Sequence, residues 1–394
     1  MKVAPAENTQ TPETPPAEIR KKSLFKKYFM EGQALHGGAQ MTLKEDADFL
    51  HKLWYKYRKY LGVLLPETVM LTLWLLTAIR FNWFALYEHH WQLPLVMVLG
   101  GSVAGLTAES GGAVAFPVMT ILMHLDAGQA RDFSIIIEAC AMLCAMIAIG
   151  IMGVQIESRA IIFGTIGSIP GLIIGFEFID KLLTGPQKKM LFVSIWSAFA
   201  VALFLLNQEK KRKTYMEIPD FKPWKALVLV ATGFVGGILT AFTGSGVDIC
   251  IFAIITVLFR VSEKSATPTT IVLMGFNALI GSYYRVIWEG NIAPVVFNYL
   301  KVSVPVSLIV APVMSLIGSH FHRQVLAVFV YVLEGLAVVG FVASGPPLEL
   351  LIIGAVIICI GFAFFYVLCK TGAKLMRDIE ESKSSKMPMA IVEA

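Results

Sequence analysis

Two apolar segments of this chain are interrupted at the same relative place by glycines and small polar residues. The first runs from Gly100 to Pro117 and breaks at Glu109-Ser110-Gly111-Gly112. The second begins at Gly233 and breaks at Thr243-Gly244-Ser245-Gly246. Superposing the two segments pairs Gly100 with Gly233, Thr107 with Thr240, Ser110 with Thr243 and Gly111 with Gly244. We therefore interpret the chain as two related halves, each opened by a hydrophobic helix that unwinds and restarts.

Composition places these segments in a membrane. Of the 394 residues 56% are hydrophobic and only 15% are charged, which excludes a single soluble globule. The net charge of +5 comes from basic residues at chain ends and loops, so nucleic acid is not an expected partner. The five cysteines form no CxxC pair and have no histidine at ligand spacing, so we expect neither a metal nor another cofactor.

Hydropathy predicts an all-α polytopic membrane protein with about eight spanning helices and two interrupted segments. The predicted spans are 61–84, 133–153, 160–179, 190–206, 268–288, 294–318, 325–343 and 348–369. The predicted regions are an arm with an amphipathic helix (1–60), an additional transmembrane helix (61–84), the first repeat (92–206), a basic loop (207–224), the second repeat (225–343), and the last helix with a polar tail (344–394).

The distribution of lysine and arginine predicts how the interrupted segments enter the bilayer. If both segments crossed completely, the basic loop 207–224 would lie opposite the basic arm, against the rule that cytoplasmic loops retain positive charge. If each segment enters and leaves on one side, the arm, this loop and the tail all face the cytoplasm. This predicts inverted repeats with two re-entrant segments whose tips meet near the midplane, and cytoplasmic N- and C-termini. Which membrane houses the protein, and whether it forms a homo-oligomer, are left open.

Each break is a candidate binding site for a small anionic solute. A restarted helix has N–H groups without intrahelical acceptors and carries the positive end of the helix dipole. The expected binding residues are Ser110, Gly111, Gly112 and Ala113 in the first break and Thr243, Gly244, Ser245 and Gly246 in the second. The alternative is that glycines only allow close packing of helices. We accept that role for Gly101, Gly105, Gly167, Gly171, Gly175, Gly233 and Gly237.

Ionisable side chains at membrane depth need a partner, a proton or water. Glu109, Asp248 and Glu138 are candidates for exchanging a coupling proton. The alternatives are helix capping by Asp248 and a structural, hydrogen-bonded Glu138. Lys301 and Glu334 fall at comparable depths on consecutive spans, and we expect them to pair.

Four further polar residues of the second half are candidates for the binding site. Arg285 and Glu289 are one turn apart and are expected to pair, with Arg285 as an oxyanion-binding guanidinium if it turns inward. Thr269, Thr270 and Asn277 follow the second break, where they either line the cavity or form hydrogen bonds between helices.

The repeated break resembles the sulfite exporter TauE/SafE family of membrane permeases. The residues that carry the resemblance are the two breaks, Ser265-Ala266-Thr267-Pro268-Thr269-Thr270, Pro305 and Gly167-Ser168-Ile169-Pro170-Gly171. It covers about Leu93 to Cys369 and implies a secondary transporter of small sulfur-containing anions such as sulfite or organosulfonates. The chain departs from the family's usual run of consecutive glycines, because Glu109 and Asp248 stand beside the breaks, which leaves the identity of the substrate open.

Two other classes of function stay open at this stage. The same breaks are compatible with an anion channel, and the basic arm is compatible with a membrane scaffold or signalling protein. An enzyme is not expected, because the chain has no HExxH motif and no nucleophile with a base at recognisable spacing. A Walker-type loop is absent from the sequence as well, which favours secondary transport over ATP-driven transport.

Overall fold

The computed structural model describes residues 49–107, 109–208, 214–318, 321 and 323–386. Most of the arm lies outside these residues, as do parts of the basic loop and of the tail. The described end of the arm (49–60), part of its predicted amphipathic helix, is continuous with the additional transmembrane helix. The helices are α1 (Phe49–Arg80), α2 (Gln92–Leu106), α3 (Gly112–Leu122), α4 (Ala127–Met152), α5 (Ser158–Leu182), α6 (Gly185–Gln208), α7 (Pro223–Thr243), α8 (Val247–Leu258), α9 (Glu263–Trp288), α10 (Pro294–Gly318), α11 (Arg323–Ala343) and α12 (Leu348–Lys386).

The fold is that of a polytopic helical membrane protein, as predicted. In the described part of the chain nine helices are long and apolar enough to cross a bilayer. Eight of them correspond to the predicted spans, and the ninth is α7, the first limb of the second interrupted segment. The other limbs, α2, α3 and α8, are shorter apolar helices. The division into the predicted regions, the re-entrant insertion and the inverted orientation stay predictions.

Helix α4 begins earlier than hydropathy predicts because its polar first turn is stabilised by an N-cap. Helix α4 begins at Ala127 rather than near Phe133. The Asp126 carboxylate accepts hydrogen bonds from the Gly128 and Gln129 amides at 2.8 and 3.2 Å. This N-cap satisfies amides that the helix itself leaves free.

The same local structure follows both breaks. In each half the restarted helix ends in one turn of π-helix, Val118–Leu122 or Ile254–Leu258. Thr120 donates a hydrogen bond to the Phe116 carbonyl, and Thr256 donates to the Phe252 carbonyl. Beyond the π-turns, His124 and Arg260 both adopt left-handed backbone conformations, with φ of 55° and 57°. The two interrupted segments therefore share local structure beyond their breaks.

The first limbs of the two interrupted segments pack on the opposite half in a reciprocal way. A Cβ built on Gly233 of α7 would lie 2.2 Å from the Gly164 carbonyl oxygen of α5, and one built on Gly105 of α2 would lie 2.3 Å from the Ala311 carbonyl oxygen of α10. Helices α5 and α10 are each the fourth helical segment of their half. The predicted packing role of these glycines is confirmed, since backbones approach too closely for any side chain.

The second interrupted segment folds back on itself. Trp224 at its start and Phe259 just beyond its end have ring centroids 5.9 Å apart. The Lys225 ammonium also lies over the Phe259 ring. Both ends of the segment therefore lie together, while its break is buried in the protein.

Candidate functional site

The two breaks meet in the interior. The hydroxyl oxygens of Ser110 and Ser245 lie 2.7 Å apart, within hydrogen-bonding distance, and both residues are fully buried. Residues 135 positions apart in the sequence, one from each half, are thus in direct contact. The tips of both interrupted segments share one site.

Glu138 caps the first restarted helix. Its Oε1 accepts a hydrogen bond from the Gly112 amide at 2.9 Å and another from the Ser110 hydroxyl. A Cβ at Gly112 would lie 2.0 Å from that same oxygen, so only glycine leaves room for the carboxyl group. Glu138 is 1% exposed, and its Oε2 has no hydrogen-bond partner among the described residues.

Asp248 plays the corresponding part in the second break. Its Oδ1 accepts from the Gly246 amide at 3.1 Å and from the Ser245 hydroxyl at 3.3 Å. The next amide, that of Val247, donates to the Thr240 hydroxyl. Asp248 therefore makes the contacts of a helix cap, which was the alternative that the sequence offered for it. The Gly112 and Gly246 amides, which were expected to attract an anion, already bind carboxyl groups of the chain itself.

Glycine at position 244 is required by both conformation and space. Its φ of 90° is a left-handed value that side-chain-bearing residues rarely adopt. A Cβ there would also lie 2.5 Å from the Ser134 Cβ. Because Ser134 belongs to α4 of the first half, this contact is a second point at which the halves meet.

Glu109 lies where the first break meets a cavity of about 370 Å³. Its side chain is 4% exposed, and its Oε1 has no hydrogen-bond partner in the described part of the chain. It interacts electrostatically with Asp248 of the second break and with Glu334 of α11. An unpaired carboxyl at the inner end of a cavity is placed to exchange a proton or to meet a solute.

The cavity opens toward one end of the helix bundle. It lies between the first break and the ends of several helices, and its lining includes Leu106, Thr107, Glu109, Ile149, Asn207, Glu263, Lys264, Thr267, Ile271, Ser315, Gly318 and Ala327. Ile149 belongs to the last turn of α4, and Glu263 is the first residue of α9. The cavity thus leads from the first break to the end of the bundle where α4 ends and α9 begins.

Three other predicted site residues lie on α9. The Thr269 hydroxyl donates to the Ser265 carbonyl and accepts from the Glu157 amide at 2.8 Å. Thr270 donates to the Thr267 carbonyl. Asn277 is 1% exposed, and neither its Oδ1 nor its Nδ2 has a partner among the described residues. The two threonines make hydrogen bonds within and between helices, whereas Asn277 keeps its hydrogen-bonding capacity unused.

Arg285 lies at the opposite end of α9 from the cavity. Its guanidinium contacts Glu289, as predicted, and also donates two hydrogen bonds to Asp132 of α4. Asp132 also pairs with Arg131, which in turn contacts Asp180 of α5. These charged groups form a buried network, whose positive charges all face carboxylates.

The expected pairing of Lys301 with Glu334 is wrong. The Lys301 ammonium donates to Asn298 at 3.0 Å and lies over the Trp83 ring. Glu334 instead interacts electrostatically with Glu109, and its Oε2 has no partner in the described structure. Depth along a helix does not specify which way a side chain points around it, so equal depth alone was an insufficient basis for the pairing.

Sequence reasoning missed several residues of the site. The Thr240 hydroxyl accepts a hydrogen bond from the Val247 amide, and although Thr240 pairs with Thr107 in the superposition it was not singled out as a site residue. Asp132 is 153 residues from Arg285 in the sequence. Its position six residues before Glu138, near the start of an apolar span, is the one feature that could have singled it out as a buried charge needing a partner.

These observations define a class of protein: a multi-pass integral membrane protein with two interrupted helices whose breaks contact each other, the first break lying at the inner end of a cavity. The model of the sulfite exporter TauE/SafE family matches residues 93–343, and the chain belongs to this family. Family membership implies a membrane transport protein for sulfur-containing anions such as sulfite. Neither the curated proteins nor the solved structures include a match to this chain.

Proposed function

We propose that this protein is a secondary transporter of a small sulfur-containing oxyanion, such as sulfite or an organosulfonate, and not an enzyme. The observation that carries the proposal is the contact between Ser110 and Ser245, which joins the two breaks below the cavity. Membership of the family supports the class of substrate. Broken helices that meet between two repeats are the usual location of substrate sites in such transporters.

Alternating access is supported by the difference between the two ends of the bundle. The cavity reaches the break from one end, where it is lined by Ile149 and Glu263. The opposite end carries the network of Arg131, Asp132 and Arg285. Ile149 and Arg131 are about 27 Å apart along α4 at 1.5 Å per residue. The site is thus accessible from one end and closed by ion pairs at the other.

Re-entrant insertion is supported by the return of the second segment to its starting point. Trp224 and Phe259 could not contact each other if the segment crossed the bilayer. With both termini cytoplasmic, the cavity faces the cytoplasm and the ion-pair network faces the other side. The halves are then inverted repeats.

The anion is expected to bind at the Gly112 and Gly246 amides. Both amides now bind carboxyl groups of the chain, those of Glu138 and Asp248. These carboxyl groups occupy the place of an oxyanion, since both present an oxygen to a helix N-terminus. Binding of substrate therefore requires that they move aside or lose their negative charge.

Flux measurements on the full-length protein in proteoliposomes test this function. We expect uptake of radiolabelled sulfite or methanesulfonate, accelerated by an imposed pH difference and able to proceed against the substrate gradient. Gly244→Leu should abolish uptake, because φ is 90° there and Ser134 occupies the space. Gly335→Leu is the matched control, since nothing lies within 4 Å of a Cβ at that position.

Three results would contradict the proposal. Flux that only relaxes the substrate gradient would indicate a channel. Absence of sulfite and sulfonate movement with monodisperse protein would exclude this class of substrate. Normal uptake by the Gly244→Leu variant would show that the breaks only pack helices.

A further inference from the structure

A continuous chain of four oxygen atoms crosses the interface between the halves. It runs from Glu138 Oε1 to Ser110 Oγ, on to Ser245 Oγ, and ends at Asp248 Oδ1. The first contact is a hydrogen bond, the second is 2.7 Å and the third 3.3 Å. All four residues are at most 1% exposed. Two carboxyl groups from different halves are thus joined through two hydroxyl groups.

Counting hydrogen atoms constrains the charge of this chain. Three contacts need three hydrogen atoms, and the two serine hydroxyls supply only two. If both carboxyl groups were ionised, one of the three contacts would lack a hydrogen. Either the Ser110 and Ser245 oxygens would face each other without one, or one serine would turn a lone pair toward a carboxylate oxygen. An unbridged pair of buried oxygens is unfavourable, so the third hydrogen must come from one of the carboxyl groups.

We propose that Glu138 and Asp248 share a single acidic proton, which passes between the halves when the two serine hydroxyls reverse. In one state Glu138 is neutral and donates to Ser110, Ser110 donates to Ser245, and Ser245 donates to ionised Asp248. In the other state Asp248 donates to Ser245, Ser245 to Ser110, and Ser110 to ionised Glu138. Each serine oxygen releases one hydrogen and receives one, Glu138 loses one and Asp248 gains one, so the total charge of the chain stays at minus one.

The neighbouring charges favour retention of this proton. Asp248 interacts electrostatically with Glu138, with Glu109 of the first break and with Cys250 of α8. Glu334 of α11 acts on Glu109. A second ionised carboxyl group in this acidic surrounding would meet further repulsion.

The nearest helices bring no opposing charge to the four-oxygen chain. Arg131 of α4 and Arg285 of α9 bind Asp132, and Lys301 of α10 binds Asn298. Lys264, in the first turn of α9, lines the cavity. Helix α3 contains no ionisable residue. Glu109 both lines the cavity and lies near Asp248, so it offers a route for the proton between the cavity and the chain.

The role of this proton in transport rests on the proposed function. The sharing of the proton between Glu138 and Asp248 does not depend on that function. When Glu138 is neutral, the Gly112 amide faces an uncharged group that an oxyanion can displace. When Asp248 is neutral, the same holds for the Gly246 amide. Moving one proton would therefore make one half or the other receptive to the anion.

Infrared spectroscopy of the full-length protein in lipid vesicles tests the sharing directly, without substrate. The measured quantity is the C=O stretching band of protonated carboxyl groups at neutral pH. In Glu138→Gln and in Asp248→Asn the new amide supplies the third hydrogen, so the remaining carboxyl group ionises. We expect each single variant to lose the same band area, and the double variant to lose no more than either.

Two outcomes would overturn the proposal. A double variant that loses twice the area of each single variant would show two separate protons. No loss in either single variant would show that both carboxyl groups are ionised. The amide substitutions keep the size of the side chains, and monodispersity of each variant shows that it folds.

Ser110→Ala provides a second test, with Ser134→Ala as its matched control. Ser134 is fully buried beside Gly112 of the first break and Gly244 of the second, and its hydroxyl has no hydrogen-bond partner among the described residues. Ser110→Ala cuts the oxygen chain, so the band losses of the Glu138 and Asp248 substitutions should become independent. In the Ser134→Ala background they should stay non-additive. Independence in both backgrounds, or in neither, would contradict the inference.

Transport gives a readout that separates this inference from the proposed function. Uptake driven by a pH difference should fall by about a hundredfold or more in Ser110→Ala, the scale on which positioned proton transfer contributes. Ser134→Ala should transport normally. If sulfite is not transported at all, the proposed function fails while the infrared result still decides whether the proton is shared. Uptake that is unchanged in Ser110→Ala would exclude this oxygen chain from coupling.

Discussion

Asp132 and Arg285 form a two-point ion pair between the halves of the protein. Arg285 Nε donates to Asp132 Oδ1 and its terminal nitrogen donates to Oδ2, both at 2.9 Å. Both residues are less than a tenth exposed. The pair joins α4 to α9 at the end of the bundle opposite the cavity.

Replacing Arg285 by lysine is expected to destabilise the protein despite keeping the charge. A guanidinium matches both oxygens of a carboxylate, whereas an ammonium is a point charge without this fork. Loss of one partner from a buried pair costs about 3–5 kcal/mol, and lysine should recover only part of that. Thermal unfolding of the purified protein measures the difference.

The exposed pair of Lys181 and Glu177 is the control for this prediction. The Lys181 side chain is 60% exposed, and its substitution by glutamine should cost about 0–1 kcal/mol. An Arg285→Lys variant as stable as the wild type would contradict the two-point role of the guanidinium.

The sequence predicted the contact of Arg285 with Glu289 but not the one with Asp132. The first pair is one helical turn apart, and helix geometry alone brings the side chains together. The second pair depends on how α4 packs against α9, which no local pattern specifies. Local patterns do not specify contacts between distant segments. The breaks were therefore found from their glycines, whereas the sequence predicted only that the two tips meet and not that Ser110 contacts Ser245.

Close packing at the glycines was predictable because a local sequence pattern does specify it. Small residues repeated every fourth position have few roles in an apolar helix other than close approach. The identity of the partner helix was not predictable from this pattern, since α7 packs against α5 of the other half. Glu138 was recognised as a carboxyl group at membrane depth, but its hydrogen-bond partners, Ser110 and Gly112, lie on another segment.

Gly167→Ala is expected to disrupt the contact between α5 and α7. A Cβ at this position would lie 2.0 Å from the Val230 carbonyl oxygen, which is backbone and cannot turn away. Overpacking of this kind costs about 1–3 kcal/mol or more. Gly335→Ala, with nothing within 4 Å of its Cβ, should leave stability unchanged or slightly higher. Equal unfolding temperatures for the two variants would refute the packing role of Gly167.

Glu109→Gln is expected to remove the pH dependence of transport if Glu109 passes protons between the cavity and the site. The glutamine side chain has nearly the same size but cannot take up or release a proton. Initial rates of sulfite uptake across a range of pH measure the effect, and Glu349→Gln at an exposed position is the control. An unchanged pH profile in Glu109→Gln would exclude this residue from proton coupling, leaving the exchange to the oxygen chain alone.

Cysteine labelling tests the antiparallel insertion of the two interrupted segments. In a background without the five native cysteines, Trp91→Cys and Asp126→Cys mark the two ends of the first segment, and Lys222→Cys and Lys264→Cys mark those of the second. We expect an impermeant thiol reagent to reach the first two from outside and the last two only from the cytoplasmic side. This follows because each segment returns to its starting face, as the contact of Trp224 with Phe259 indicates for the second.

Labelling of Trp91→Cys and Lys222→Cys from the same face would exclude inverted repeats. Labelling of Trp91→Cys and Asp126→Cys from different faces would instead show that the first segment crosses the bilayer.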